Sequence, residues 1–336
     1  MSAALLTVLA VLAATQNVQG PILTVRDTQF RLDGESTFLL GCSYYGALGV
    51  AEAKPIEQDL DDLRAHGFNW IRVWVTWDDF DNNVCAVAPD GSVRRPYIGR
   101  LKRLCRLAGE RRMVVDVTVT RGKSPNFPAN REEHLAVMKT LAQELLQFRN
   151  VYFDVGNERN VGDARYVSIE DVAELIRAIK AIDPDRVCTA SDGGDISRED
   201  VLALVDAGVD CICPHRARNA DSPHQTAERT REYLEMMKAA KRAVPVHYQE
   251  PFRRGYDHYA PTADDFLTDL QQARDGGAAG WCFHNGCVSA RGDESVPDKR
   301  PRRSFDMRPE EGRLFDQLDD VEQKFMARLK DATEEG

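Results

Sequence analysis

The chain has 336 residues, of which 43% are hydrophobic and 29% charged. That balance excludes a disordered, collagen-like or disulfide-dense chain, and the length suffices for a single α/β barrel of about 250 residues. Acidic residues outnumber basic ones 54 to 44, a net charge of −10, which argues against nucleic acid or an anionic membrane as partner, because phosphate binding needs a positive footprint.

Residues 1–20 carry no charged side chain, and Ala3 to Ala14 form an apolar run. The run is too short for a bilayer span and fits the apolar region of a secretory signal, although no Lys or Arg precedes it. A cut after Ala14 or Gly20 would leave a small residue at the break. The expectation is a leader over 1–20, one catalytic domain over 21–336, and a secreted or periplasmic location. No later segment can span a membrane. Ile22–Thr37 alternates apolar and polar residues around Asp33-Gly34, which predicts a small β-hairpin closing the bottom of the domain.

From there, β-rich runs alternate with amphipathic segments. Phe38–Tyr45 is the first strand, and Pro55–His66 is helical, with Leu60 and Leu63 on one face. Trp70–Trp77 follows, then a helix over Ile98–Gly109, then the strand Met113–Thr120. Leu135, Met138, Leu141 and Leu145 form one helical stripe. Val151–Gly156 is the fourth strand. Its helix opens at Ser168, whose pairing with Asp171 resembles a cap. Arg186–Ala190, Val209–Cys213, Val244–Gln249 and Ala279–Phe283 complete the strands, with helices at Ile196–Val205, Thr226–Ala240 and from Thr262. A polar loop over 286–307 precedes a last helix near Pro309–Leu329. Eight strand-then-helix units in series predict a parallel, closed (β/α)8 TIM barrel.

In such a barrel the chemistry sits at the C-terminal ends of the strands. Glu158 follows the fourth strand and Glu250 the seventh, so the two face one another across the mouth. Two carboxylates across a pocket are the minimum apparatus for glycoside hydrolysis. A separation of about 5–5.5 Å lets one attack the anomeric carbon while the other protonates the leaving oxygen. Arg72 stands among Trp and Val on the second strand, where its charge is costly without a carboxylate partner. Trp77 and Trp281 offer flat faces that suit either a sugar ring or the core.

In these features the chain resembles the clan A retaining glycoside hydrolases, especially the family 5 cellulase and β-mannanase types, from the hairpin and first strand through Trp281. The resemblance implies that Glu158, in Asn157-Glu158, is the acid/base and Glu250 the nucleophile. It implies that Arg72, in Gly67-Phe68-Asn69-Trp70-Ile71-Arg72, supports the nucleophile's charge. Asn157 would then bond the sugar 2-hydroxyl, Trp281 would stack under the sugar, and His215 would match a histidine after the sixth strand. Two departures stand out. Thr118-Val119-Thr120 lies where the family carries a histidine, and His215-Arg216-Ala217 where it has His-x-Tyr. Tyr248, two residues before Glu250, offers a replacement for that tyrosine.

Six arginines gather at strand ends: Arg121, Arg159, Arg216, Arg218, Arg253 and Arg254. Either they pair with loop acids or they receive an acidic group on the carbohydrate substrate. None of the 7 histidines forms a His-x-His pair, and the 8 cysteines contain no CxxC. No dinucleotide or P-loop signature occurs, so neither metal nor cofactor is expected. Most thiols are expected to be buried and unpaired. A catalytically impaired barrel that only binds carbohydrate is the alternative to an enzyme.

Overall fold

A computed structural model describes residues 20–79, 82–119, 123–162, 165–254, 259–286 and 304–334. The expected leader (Gly20 excepted), Thr120, Arg121, Cys287 and most of the 286–307 loop lie outside the described residues. The barrel strands are β1 (Leu39–Ser43), β2 (Trp70–Trp74), β3 (Val114–Thr118) and β4 (Val151–Asp154), followed by β5 (Cys188–Thr189, continuing as Ser191–Asp192), β6 (Cys213–Pro214), β7 (His247–Tyr248) and β8 (Gly280–Phe283). Seven of them form one sheet, with β8 hydrogen-bonded between β1 and β7. The continuation of β5 pairs in parallel with β6, and Ile212 bridges Val246 beside β7, so the ring closes.

The helices are α1 (Ala53–Ala65), α2 (Tyr97–Glu110), α3 (Arg131–Glu144), α4 (Ile169–Lys180), α5 (Arg198–Ala207), α6 (Ser222–Ala239), α7 (Ala263–Gly276) and α8 (Asp320–Glu334). Their starts follow local chemistry. Ser168 accepts from the Asp171 N–H as expected, Ser197 does the same for Asp200, and Thr262 with Asp265 forms a reciprocal capping box. Each such cap contributes about 1 kcal/mol. The last helix begins later than its sequence pattern predicts. Pro309–Glu311 and Phe315–Gln317 are single 3-10 turns, and α8 starts where Asp319 accepts from the Val321 and Glu322 N–H groups. Among the described residues no helix is long and apolar enough to cross a membrane.

The predicted N-terminal hairpin is a three-stranded antiparallel meander over Leu23–Arg26, Gln29–Leu32 and Glu35–Thr37. The third strand was missed because Glu35-Ser36-Thr37 is polar and mostly exposed, with no apolar alternation to show it. The meander does close the bottom. Leu23, Phe30 and Leu32 pack into a buried cluster with Trp70, Val114, Tyr152 and Val187, which point into the barrel. Two glycines make room there. A Cβ on Gly41 would meet the Trp70 ring at 1.6 Å, and one on Gly280 would meet His247 Nδ1 at 2.3 Å. Small residues on β1 and β8 thus admit large ones from β2 and β7, the size alternation a filled barrel interior requires.

Strand alternation then sorts the side chains. On β2, Trp70, Arg72 and Trp74 point inward, while Ile71 and Val73 join the cluster under the helices. Arg72 is register partner to Asp116 on β3, and Thr118 to Asp154 on β4. Above the apolar floor, the strands therefore deliver a charged layer to the mouth. The 7 described cysteines are all free and buried.

Candidate active site

Arg72 organises this layer. Its Nη2 donates to Asp154 Oδ2 (3.0 Å) and Asn157 Oδ1 (2.9 Å), and its Nε donates to Thr118 Oγ1 (3.1 Å) and lies 3.2 Å from Asp116 Oδ2. Its Nη1 donates to Glu250 Oε1 in a short contact. Burial works against the guanidinium's charge, but Glu250, Asp116 and Asp154 overcome it and hold the group above its ordinary range. Asp116 answers the question of Arg72's partner. Burial raises its carboxyl to about 7 despite Arg72, and it accepts from Thr118, Tyr152 and Gln249. Asp154 ties β4 to β5 by accepting from the Ser191 hydroxyl at 2.8 Å.

Glu250 lies just past β7. Its Oε1 is held by Arg72, while Oε2 faces His284 Nε2 (3.3 Å), Arg218 Nη2 (3.2 Å) and His215 Nδ1 (3.7 Å). Burial alone would raise this carboxyl. The electrostatic pull of His284, His215 and Arg72 outweighs burial and brings it down to about 2. Burial also pushes the His284 ring well below the imidazole range, so at neutral pH the lasting charges beside Glu250 are the guanidinium groups of Arg72 and Arg218.

Glu158 sits in the loop after β4 with a left-handed backbone, φ +46°. For a glutamate this costs on the order of 1 kcal/mol or more. The conformation is held by its N–H, which donates to Ser191 Oγ at 3.0 Å. Its Oε1 lies 3.2 Å from His215 Nδ1 and accepts from Arg218 Nη2 at 3.0 Å. One oxygen from each glutamate and a ring nitrogen of His215 all lie within 4.8 Å of one another. Such a triad also has the spacing to take a divalent cation, but the Arg218 guanidinium already bridges its two carboxylates.

The predicted residues therefore divide. Arg72, Asn157, Glu158, His215 and Glu250 converge. Trp77 stands at the mouth, buried in an aromatic wall: its ring is 5.1 Å from Trp74 and 6.0 Å from Tyr45, and Trp74 lies against Arg72. Two expectations are corrected. Trp281 is not at the pocket. It points outward from β8, fully buried, donating from Nε1 to Asp269 Oδ2 on α7 at 2.6 Å and lying 5.9 Å from Phe325 of α8. Tyr248 also points outward, its hydroxyl 2.7 Å from Thr230 Oγ1 on α6. The two-residue parity with Glu250 fails because β7 ends at Tyr248, after which Gln249 and Glu250 both reach the interior layer.

The strand-end arginines divide as well. Arg159, Arg216 and Arg254 pair with Asp192, Asp195 and Asp319, whereas Arg218 meets both glutamates and Arg253 donates to His284 Nε2 at 3.1 Å. Sequence reasoning missed Asp116, Asp154, Tyr45 and the closeness of His284 to Glu250. For the first two a signal existed, a lone acid in Val-Val-Asp-Val and in Tyr-Phe-Asp-Val.

The family model for cellulase, glycosyl hydrolase family 5, matches residues 25–210. No curated protein matches the chain. Among solved structures, a β-glucanase from Saccharophagus degradans is 14% identical with a TM-score of 0.65, over 95% of each chain. An endo-1,4-β-mannanase from Rhizomucor miehei is 13% identical with a TM-score of 0.61, over 94% of this chain and 100% of that one. A family 5 glycoside hydrolase from Bacteroides vulgatus is 15% identical with a TM-score of 0.62, over 81% of this chain and 65% of its own length. At these identities the structural likeness speaks to the fold.

Proposed function

This chain belongs to glycosyl hydrolase family 5, and on that premise we propose that it hydrolyses β-glycosidic bonds of an oligo- or polysaccharide with retention of configuration. The observation that carries the reading is the approach of one oxygen of Glu158 and one of Glu250 to within 4.8 Å, which puts both carboxylates at one pocket, as a double-displacement pair requires.

Glu250 is the nucleophile. Arg72 holds Oε1 and keeps the carboxylate ionised, leaving Oε2 on the side of Glu158. Oε2 attacks the anomeric carbon and forms a glycosyl ester as the bond to the leaving oxygen breaks. Glu158 delivers a proton to that oxygen. In the second step Glu158 takes a proton from water, which attacks the same carbon and releases Glu250. Asn157, anchored through Oδ1 on Arg72, is the proposed donor to the sugar 2-hydroxyl. His215 positions Glu158. This chemistry needs no metal or cofactor.

The stereochemical course tests the proposal. Proton NMR of an early reaction mixture should show the β-anomer of the product first, with the α-anomer growing later by mutarotation. An α-anomer at the earliest times would replace double displacement with inversion.

A further inference from the structure

The charged layer holds a carboxyl that the reaction as described does not use. Asp116 is fully buried on β3. Its Oδ1 accepts from the Thr118 hydroxyl at 2.9 Å. Its Oδ2 accepts from the Tyr152 hydroxyl at 2.9 Å and from Gln249 Nε2 at 2.6 Å, with Arg72 Nε 3.2 Å away. Thr118, standing where the family carries a histidine, also accepts from Arg72 Nε at 3.1 Å. One guanidinium therefore faces three carboxyl groups, those of Asp116, Asp154 and Glu250.

The surroundings of Asp116 can hold it with or without a proton. The titratable and charged groups around it are Arg72 on β2, Tyr152 and Asp154 on β4, His247 on β7, Glu250 just past β7 and Cys282 on β8. Burial keeps Tyr152 and Cys282 protonated and the His247 ring uncharged. With Asp116 ionised, Thr118, Tyr152 and Gln249 all donate to it and Arg72 faces it. With Asp116 protonated, its hydrogen can go to the Tyr152 oxygen. The Tyr152 hydroxyl then turns to His247 Nε2 at 3.0 Å, which accepts when the ring hydrogen is on Nδ1. Gln249 can follow by turning its amide, because its buried Oε1 has no hydrogen-bond partner among the described residues. Asp154 differs: its Oδ1 accepts from the backbone N–H groups of Gly156 and Ser191, donors that cannot reverse.

We propose that Asp116 is a positioning residue for the nucleophile: by taking or giving up a proton it sets how much of the Arg72 charge is left to Glu250. Protonated Asp116 leaves the guanidinium to Asp154 and Glu250, which steadies Glu250 as a carboxylate. Ionised Asp116 draws on the same guanidinium, and Glu250 then gains more by losing its charge to the new bond with the sugar. Ester formation is faster in that state. The rise of the Asp116 carboxyl to about 7, with burial as its first cause, puts the change near neutral pH. The proposal rests on the reading of Glu250 as the nucleophile.

Melts and kinetics of the full chain test it separately. Asp116→Asn keeps the shape of the protonated carboxyl. Between the ordinary 3.8 and about 7 the folded parent keeps a proton that its unfolded chain has lost, so this carboxyl costs the parent stability as pH rises through that window. The variant lacks that loss. Its melting temperature should gain on the parent's by about 2 °C per pH unit from about pH 4 and level off above about 7. When the same pair is compared within Glu250→Gln, with one anion fewer on Arg72, the gap should level off at lower pH. The kinetic substrates are dinitrophenyl β-cellobioside and β-mannobioside, whose leaving group needs no proton. The parent-to-variant ratio of kcat/KM should climb about three- to tenfold as pH passes 7, and effects of Glu158, His215 and His284 common to both proteins cancel in it. If Asp116→Asn misfolds by circular dichroism, Tyr152→Phe takes its place. It removes a donor that serves the carboxylate more than the acid, so the Asp116 titration, read in melts and kinetics alike, should move to higher pH. A gap that does not vary with pH, a gap that levels off at the same pH with and without Glu250, or a flat ratio overturns the proposal. Melts as expected with neither glycoside hydrolysed remove the hydrolase reading alone, and hydrolysis with an unvarying gap removes this one alone.

Discussion

Glu250→Gln is expected to lower turnover on the order of 100,000-fold, the scale seen when an essential nucleophile is removed. The amide still accepts from Arg72 through its oxygen, and Asp154 remains as counter-charge to that arginine, so the barrel should stay folded. The cost in stability should depend on pH, in a direction fixed by the carboxyl's descent from its ordinary 4.5 to about 2 in the folded protein. A carboxylate held low by the fold adds stability above its unfolded value and loses it as pH falls through the folded one. The variant should therefore be less stable than the parent at neutral pH, and the two melting curves should converge as pH drops from about 4.5 toward 2. Parallel kinetics and melts check both halves. A variant with near-parental turnover would remove Glu250 from the reaction.

Glu158→Gln should show a different signature. Loss of general acid help costs about 100- to 10,000-fold, but only where the leaving group needs a proton. An alkyl or sugar leaving group should suffer the full loss. A dinitrophenyl glycoside, whose phenolate departs unaided, should still form the glycosyl ester on Glu250. Its second step, now without a base, should stall, giving a burst of phenolate followed by slow release. Equal losses in the first, ester-forming step on both substrates would make Glu158 a binding residue.

The path from sequence to site was clear where one strand or one pair of strands decides the outcome. The alternation of β-rich and helical runs gave eight units because each buries one apolar face in a fixed period. Arg72 among Trp and Val announced a buried ion pair, and Asn157-Glu158 and Glu250 stood at the strand ends that face each other. Trp281 misled because motif position was read without parity. The inward places on β8 go to Gly280, which yields to His247, and to Cys282, which meets Ser43; Trp281 between them must face the helices. Tyr248 misled for the opposite reason, because parity was carried past the end of its strand. Arg218 was visible as one of several arginines, yet its role depends on a loop turning at Arg216 and on two distant strand ends. No periodicity encodes such a meeting. Phe305, stacked at 4.0 Å on Tyr45, is likewise brought to the mouth by the end of the long polar loop.

The central claim is that Glu250 forms a covalent bond to the sugar, and trapping that bond tests it most directly. The chain is incubated with dinitrophenyl 2-deoxy-2-fluoro-β-glycosides of the neutral and uronic series, digested, and its peptides read by mass spectrometry. The account predicts a single fluoroglycosyl adduct on the peptide carrying Glu250, absent from Glu250→Gln and present in Glu158→Gln. An adduct on Glu158, or none with any of these sugars while burst kinetics are also missing, would contradict it and favour a barrel that only binds carbohydrate.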